Sequence, residues 1–266
     1  MPFLDSITRN NAAEVGEGFP FNLPALRNFE KLEFAKPITF FIGENGSGKS
    51  TLIEAIAAGM NAVAVGAADT ARDPTLAGPR VLAKSFRFVR RQAPKAKLFF
   101  RAEDAFGFTK RVIADIAELQ AEEEAFREKL PDGSYGQRLA MGAMRGQHAA
   151  LTRRYGENPD GFSHGETFLN VLKSRIVPSG LYLLDEPETP LSPARILALM
   201  ALLKDGVEQG SQFVIATHSP MLMAMPESEI FEFSPDGISR IAWDETEHVR
   251  ITRAFLADPE KYLRRL

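Results

Sequence analysis

Nine residues, Gly43-Glu44-Asn45-Gly46-Ser47-Gly48-Lys49-Ser50-Thr51, constrain this chain more than any other stretch. They follow an apolar run, Ile38-Thr39-Phe40-Phe41-Ile42, and lead into a segment with apolar residues at helical spacing, Leu52, Ile53, Ile56 and Ala57. Strand, glycine-rich turn and helix form the setting in which the pattern G-x-x-x-x-G-K-[ST] becomes a phosphate-binding loop. Glycines at 43, 46 and 48 permit a tight turn that presents successive N–H groups inward. Those groups and the helix N-terminus together form a site for anionic oxygens. Lys49 adds a point charge for β- and γ-phosphates, and the Ser50 hydroxyl is placed to ligate Mg²⁺.

The second half repeats the theme of an apolar strand ending in polar chemistry. Leu181-Tyr182-Leu183-Leu184 runs into Asp185-Glu186-Pro187-Glu188, and Phe213-Val214-Ile215-Ala216 runs into Thr217-His218-Ser219-Pro220. Helical segments of crossover length separate these strands, so a parallel sheet can carry all three polar ends to one edge, where ligands of open α/β sheets bind. On that edge Asp185 suits a Mg²⁺ role opposite Ser50. Glu186 faces the γ-phosphate and polarises a water, and His218 donates to the phosphate and orients that water. Singly, each has a plain structural alternative, a capping acid or a packed histidine; the four together converge on one site.

Composition narrows the class. The 266 residues are 44% hydrophobic and 25% charged, an ordinary globular balance able to bury a sizeable core. A formal net charge of −3 gives no global case for nucleic acid or an anionic membrane. The absence of cysteine removes disulfides, thiolate metal sites and cysteine nucleophiles, and suits a cytoplasmic location. The N-terminus lacks the pattern of a signal peptide, and no apolar run is long enough to span a bilayer, so no membrane insertion is expected.

Along the rest of the chain, residues 1–30 hold scattered phenylalanines and read as an edge strand and loops. Residues 84–104 look like a basic β-hairpin, Ser85–Arg90 answered by Lys97–Arg101 across an Arg91–Ala96 turn. Its cations could track a phosphate backbone or form a solvated face that protects an edge. Residues 105–161 read as a helical, mobile insertion whose 110–131 segment is a polar helix, and 162–266 as the half that carries the remaining motifs.

The order of phosphate loop, Phe162-Ser163-His164-Gly165-Glu166, Leu181–Glu188 and Ile215–Pro220 resembles the ATP-binding-cassette ATPases, and among them stand-alone soluble ATPases near the SMC/RecF-like branch more than transporter subunits. The resemblance covers most of residues 20–245. It implies a single α/β domain of the P-loop NTPase fold, a mostly parallel core sheet flanked by helices, with an antiparallel β subdomain. It further implies ATP and Mg²⁺ as ligands, hydrolysis of ATP, and a homodimer that sandwiches two nucleotides and couples hydrolysis to an unknown protein or nucleic-acid partner. In that arrangement Lys49, Glu186 and His218 are catalytic, Ser50 and Asp185 hold the metal, and residues 43–51 hold phosphate. Ser163, Gly165 and Glu166 reach the nucleotide of the other copy through the N-terminus of their helix.

A slow-hydrolysing, ATP-gated clamp or sensor on nucleic acid or protein is the alternative function. Departures from the family pattern are His164 and Glu166 in the signature, Ser192 where an acid is usual, no clear tyrosine ahead of the loop, and Glu103 near the place of the usual glutamine.

Overall fold

A computed structural model describes residues 3–10, 16, 18–65, 74–101, 107, 116–127, 134–136, 138, 139, 141, 142, 144–146 and 164–264. The chain divides into two compact units, 1–102 with 176–266, and 103–175. The helix His164–Arg175 clusters with the second unit.

The first unit holds two sheets. β1 (Leu4–Arg9), β2 (Lys31–Glu33) and β5 (Phe86–Arg90) form an antiparallel three-stranded sheet in the order β2-β1-β5. The expected N-terminal edge strand is thus the central strand of its sheet. The seven-stranded sheet has the order β10-β9-β3-β8-β7-β6-β4. It is built from β3 (Ile38–Gly43), β4 (Val63–Ala64), β6 (Lys97–Arg101), β7 (Leu181–Asp185), β8 (Gln212–Ala216), β9 (Ser228–Ser234) and β10 (Gly237–Ile241). Its neighbours pair in parallel except β9 with β10, a hairpin around Pro235-Asp236. β3, β7 and β8 are buried along their whole length, which is why their sequences read as unbroken apolar runs rather than alternations.

The basic hairpin expected over 84–104 does not exist. β5 pairs with β1 in one sheet and β6 with β4 and β7 in the other. Between them, Arg91 N–H donates to Phe3 O at 3.2 Å and Lys95 N–H to Ser179 O at 2.9 Å, so the turn-like connector bridges two sheets. Its cations are dispersed accordingly. Arg91 pairs with Asp5 at 2.6 Å, Lys97 Nζ donates to Met60 O at 2.6 Å, and Arg101 is buried.

Helices cover the large sheet. α1 (Pro24–Arg27) is one turn. α2 (Lys49–Met60) sends Leu52, Ile53, Ala55, Ile56 and Met60 into the core, and α3 (Ala77–Lys84) packs beside it. α5 (Pro193–Glu208) starts on a proline, whose fixed φ and missing N–H suit the first helical turn. α6 (Glu247–Ala257) and α7 (Pro259–Leu263) follow β10. In the second unit, residues 116–127 are helical and largely exposed, with Arg127 and Arg145 both near Glu123. There α4 (His164–Arg175) buries Phe168, Val171 and Leu172, which share one helical face. Among the described residues no helix is long and apolar enough to cross a membrane.

Two buried side chains tie the first unit together. Gln212 accepts from Leu4 N–H at 2.9 Å and donates to Leu4 O at 3.0 Å, joining β8 to β1 across the two sheets. Glu229 accepts from the N–H groups of Ala35 and Lys36 at 2.7 and 3.1 Å and from the Thr39 hydroxyl at 3.1 Å, and its second oxygen receives Arg240. Replacing Gln212 by Leu strips both partners from a buried peptide group. Urea unfolding should show a loss of about 1–3 kcal/mol; no shift in midpoint would mean that the two sheets do not depend on this bridge.

Candidate functional site

The three strands that carry the candidate residues are consecutive in the sheet, β3-β8-β7; β7 and β8 end level, Asp185 opposite Ala216, and β3 runs two residues past Phe41, which pairs with Ala216, to Gly43. Their carboxyl ends therefore deliver residues 43–51, 185–188 and 217–219 to one edge. The loop needs its first glycine for two reasons. Gly43 sits at φ 136°, and a Cβ there would lie 2.4 Å from the Phe233 carbonyl oxygen of β9. Gly46 and Gly48 also take positive φ. Glu44, Asn45 and Gly46 are exposed, while Lys49 is only 4% exposed. Thr51 lies in the first turn of α2.

Lys49 Nζ donates to Gly43 O at 2.8 Å and Glu44 O at 2.9 Å, curling the loop around its own ammonium group. Burial lowers its pKa, and the carboxylates of Glu186, Asp185 and Glu188 oppose that shift. Ser50 Oγ donates to Asp185 Oδ1 at 3.1 Å, linking α2 to the end of β7. Burial raises the Asp185 pKa from 3.8 to about 6. The Ser50 hydrogen bond, Lys49 and Arg101 pull it down, and Glu186 adds to the rise.

Glu186 takes a left-handed backbone conformation, φ 49°, with its N–H on Ala216 O at 2.9 Å. Its Oε1 lies 3.8 Å from His218 Nε2. Burial and Lys49 lower the His218 pKa, and Glu186 opposes them. Lys49, Ser50, Asp185, Glu186 and His218 thus meet at one edge. Gly165 and Glu166 lie in α4, in the other unit, and Ser163 and Glu103 lie outside the described residues.

Three residues of the site had no role in the sequence reading. Arg101 ends β6 opposite Asp185, is buried, and pairs with Glu54 at 3.3 Å. Its signal was available, since Leu98-Phe99-Phe100-Arg101 is a fourth apolar run with a polar end. Glu188 accepts from the His218 N–H at 2.6 Å, and burial raises its pKa while hydrogen bonds from Thr217 and His218 lower it. His248, from α6, places Nε2 3.1 Å from His218 Nδ1, and nothing in the sequence announces it. With Glu247 it helps line a cavity of about 330 Å³ that also touches Gly43–Ser47 and Phe233.

Two family models match the chain. One is described as an AAA domain and matches residues 20–128; the other is described as an AAA domain, putative AbiEii toxin, type IV toxin–antitoxin system, and matches residues 167–224. The fold is that of the P-loop NTPases, and the two AAA-domain models match its phosphate-loop half and the stretch that carries residues 185–188 and 217–219. No curated protein matches it. Similar solved structures include a nucleotide-free ATP-binding cassette from an ABC transporter, 16% identical over 97% of this chain and 98% of that one, TM-score 0.48. Another is the Smc head domain from Pyrococcus furiosus with an extended coiled coil, bound to the C-terminal domain of ScpA, 12% identical over 96% and 100%, TM-score 0.48. A third is a dimeric bacterial ABC transporter cassette, 17% identical over 79% and 87%, TM-score 0.39.

The residues of this P-loop domain fit Mg²⁺ with a nucleotide. Among the described residues no cluster of three or more His, Asp or Glu could hold a metal alone. Ser50 and Asp185 instead offer a pair of hard oxygens, the donor set of a Mg²⁺ that takes its other ligands from phosphate and water.

Because the folded pKa of Asp185 is raised, its proton stabilises the fold fully below about pH 4, and that contribution is lost as pH rises through about 6. Asp185→Asn cannot ionise. Without nucleotide it should be more stable than wild type at neutral pH by on the order of 1–2 kcal/mol, and the gap should close below about pH 4. Urea melts across this range check it; a gap that does not vary with pH contradicts the assignment.

Proposed function

We propose that the chain binds Mg·ATP at the carboxyl edge of the large sheet and hydrolyses it. The observation that carries this reading is the meeting of Lys49, the Ser50–Asp185 pair and the Glu186–His218 pair at the ends of three adjacent strands. Backbone N–H groups of the loop and the α2 N-terminus take the phosphates. Lys49 exchanges its loop carbonyls for phosphate oxygens. Ser50 and Asp185 hold Mg²⁺, which when bound supplies Lewis acidity to the phosphate oxygens. Glu186 accepts the proton of the attacking water, and His218 orients that water and the terminal phosphate.

The site on one chain is half of a composite one. In a homodimer, residues 163–166 of one copy complete the phosphate site of the other through the start of α4, and the cycle of joining and parting works on a partner protein or nucleic acid.

Steady-state ATPase assays test the chemistry. Lys49→Ala should lose nucleotide affinity, and Glu186→Gln should lower kcat about 10²–10⁴-fold while still binding ATP. A Glu186→Gln variant that turns over at the wild-type rate removes Glu186 as the base. The same variant tests the assembly by light scattering: the mass should double with Mg·ATP and stay at one chain without it, and a mass of one chain in both conditions rules out the sandwich.

A further inference from the structure

The His218 imidazole lies between two groups. Its Nδ1 is 3.1 Å from His248 Nε2. Its Nε2 is shielded from solvent, has no hydrogen-bond partner, and lies 3.8 Å from Glu186 Oε1. Two hydrogen bonds tie the segment that leads into α6 to the turn after His218. Trp243 Nε1 donates to Pro220 O at 2.9 Å, two residues beyond His218, and the Thr246 hydroxyl donates to Trp243 O at 2.8 Å where α6 begins. Thr246 and Val249, on either side of His248, are buried.

A hydrogen bond between two imidazole nitrogens contains one proton, so one ring donates and the other accepts. The titratable groups facing His218 are Lys49 from α2, Glu186 and Glu188 from the segment after β7, and the ring of His248 from α6. Burial and the lysine hold His218 neutral, with a single N–H. Were that proton on Nδ1, the buried Nε2 lone pair would face the Glu186 carboxylate, acceptor against acceptor. With the proton on Nε2, an N–H faces the carboxylate and Nδ1 is left to accept.

We infer that His248 is a positioning residue for the proposed hydrolysis: its Nε2–H donates to His218 Nδ1 and so fixes the His218 proton on Nε2, turned toward Glu186 and the phosphate edge. A neutral ring then offers substrate a donor without carrying charge. The inference about the tautomer stands on the contacts; its kinetic consequence rests on the ATPase reading above. Since His248 also lines the cavity beside Gly43–Ser47, whatever fills that cavity touches the residue that orients His218.

The tautomer can be read directly by ¹⁵N–¹H correlation of imidazole nitrogens in the intact protein, which has only four histidines. Wild-type His218 should show Nε2 protonated and Nδ1 pyridine-like, with or without ATPase activity. His248→Gln keeps an N–H donor and should preserve that pattern and most of the turnover. His248→Glu can only accept at neutral pH and should move the proton to Nδ1. Its kcat for Mg·ATP should fall about 10–100-fold with little change in KM, the size of effect typical of losing a group that orients a histidine. If wild-type His218 carries its proton on Nδ1, or if His248→Gln moves it there, the inference is overturned even in an active enzyme. If the tautomer behaves as expected in a protein without turnover, the inference holds and the ATPase reading fails. Should His248→Glu not fold, His248→Ala takes its place: loss of the single Nε2 tautomer supports the inference, and an unaltered one overturns it.

Discussion

A buried ammonium ion sets the terms for the whole carboxyl edge of the sheet. Desolvating such an ion costs several kcal/mol unless partners compensate it. Lys49 is compensated twice, by two carbonyls of its own loop and by the carboxylates of Asp185, Glu186 and Glu188. The first requirement fixes the loop, since Gly43 O and Glu44 O must both turn inward, and they do so through a glycine that has no room for a side chain. The second constrains the strand order, since the acids arrive from β7, with β8 between it and β3. Three carboxylates around one lysine leave an excess of negative charge, which burial relieves by raising the pKa values of Asp185 and Glu188. Such an edge favours a cation beside Asp185 as readily as phosphate beside Lys49.

Most of this edge was legible in the sequence because each part has a local cause. A buried parallel strand must be an apolar run, a phosphate loop must spend glycines, and both signals lie within a dozen residues. The parts that were not legible depend on contacts between distant segments. β5 and β6 were read as a hairpin because a turn-like connector separates two strands. The better clue was their difference: Phe86–Arg90 is buried at one end and largely exposed toward the other, whereas Leu98–Phe100 is a continuous apolar run. Strands with such different faces belong to different sheets. His248 and Gln212 gave no signal at all, since a lone histidine on an amphipathic helix and a glutamine opening a strand have many unremarkable uses. The signature residues divide in the same way. Gly165 and Glu166 lie in α4, in the other unit, whereas residues 43–51, 185–188 and 217–219 share one sheet edge.

The strand ends also share an internal frame. Glu188 holds the backbone N–H of His218, Ser50 holds Asp185, and Trp243 holds the turn after His218. A displacement of the His218 loop therefore strains the acidic segment and the start of α6 together. In physical terms these segments form one small hydrogen-bonded body set on the ends of β7 and β8.

Glu186 draws out a different consequence. A side chain at φ 49° costs about 1 kcal/mol or more that glycine would not incur. The strand hydrogen bond from Glu186 N–H to Ala216 O holds the residue there, and the carboxylate comes to face His218 as a result. Selection for a sturdier fold and selection for the proposed hydrolysis would therefore pull this position apart. Glycine is the stabilising choice there but lacks the proposed base, so a lineage that drifted toward stability alone would lose that carboxylate first and keep a well-folded loop at Gly43–Thr51 behind it.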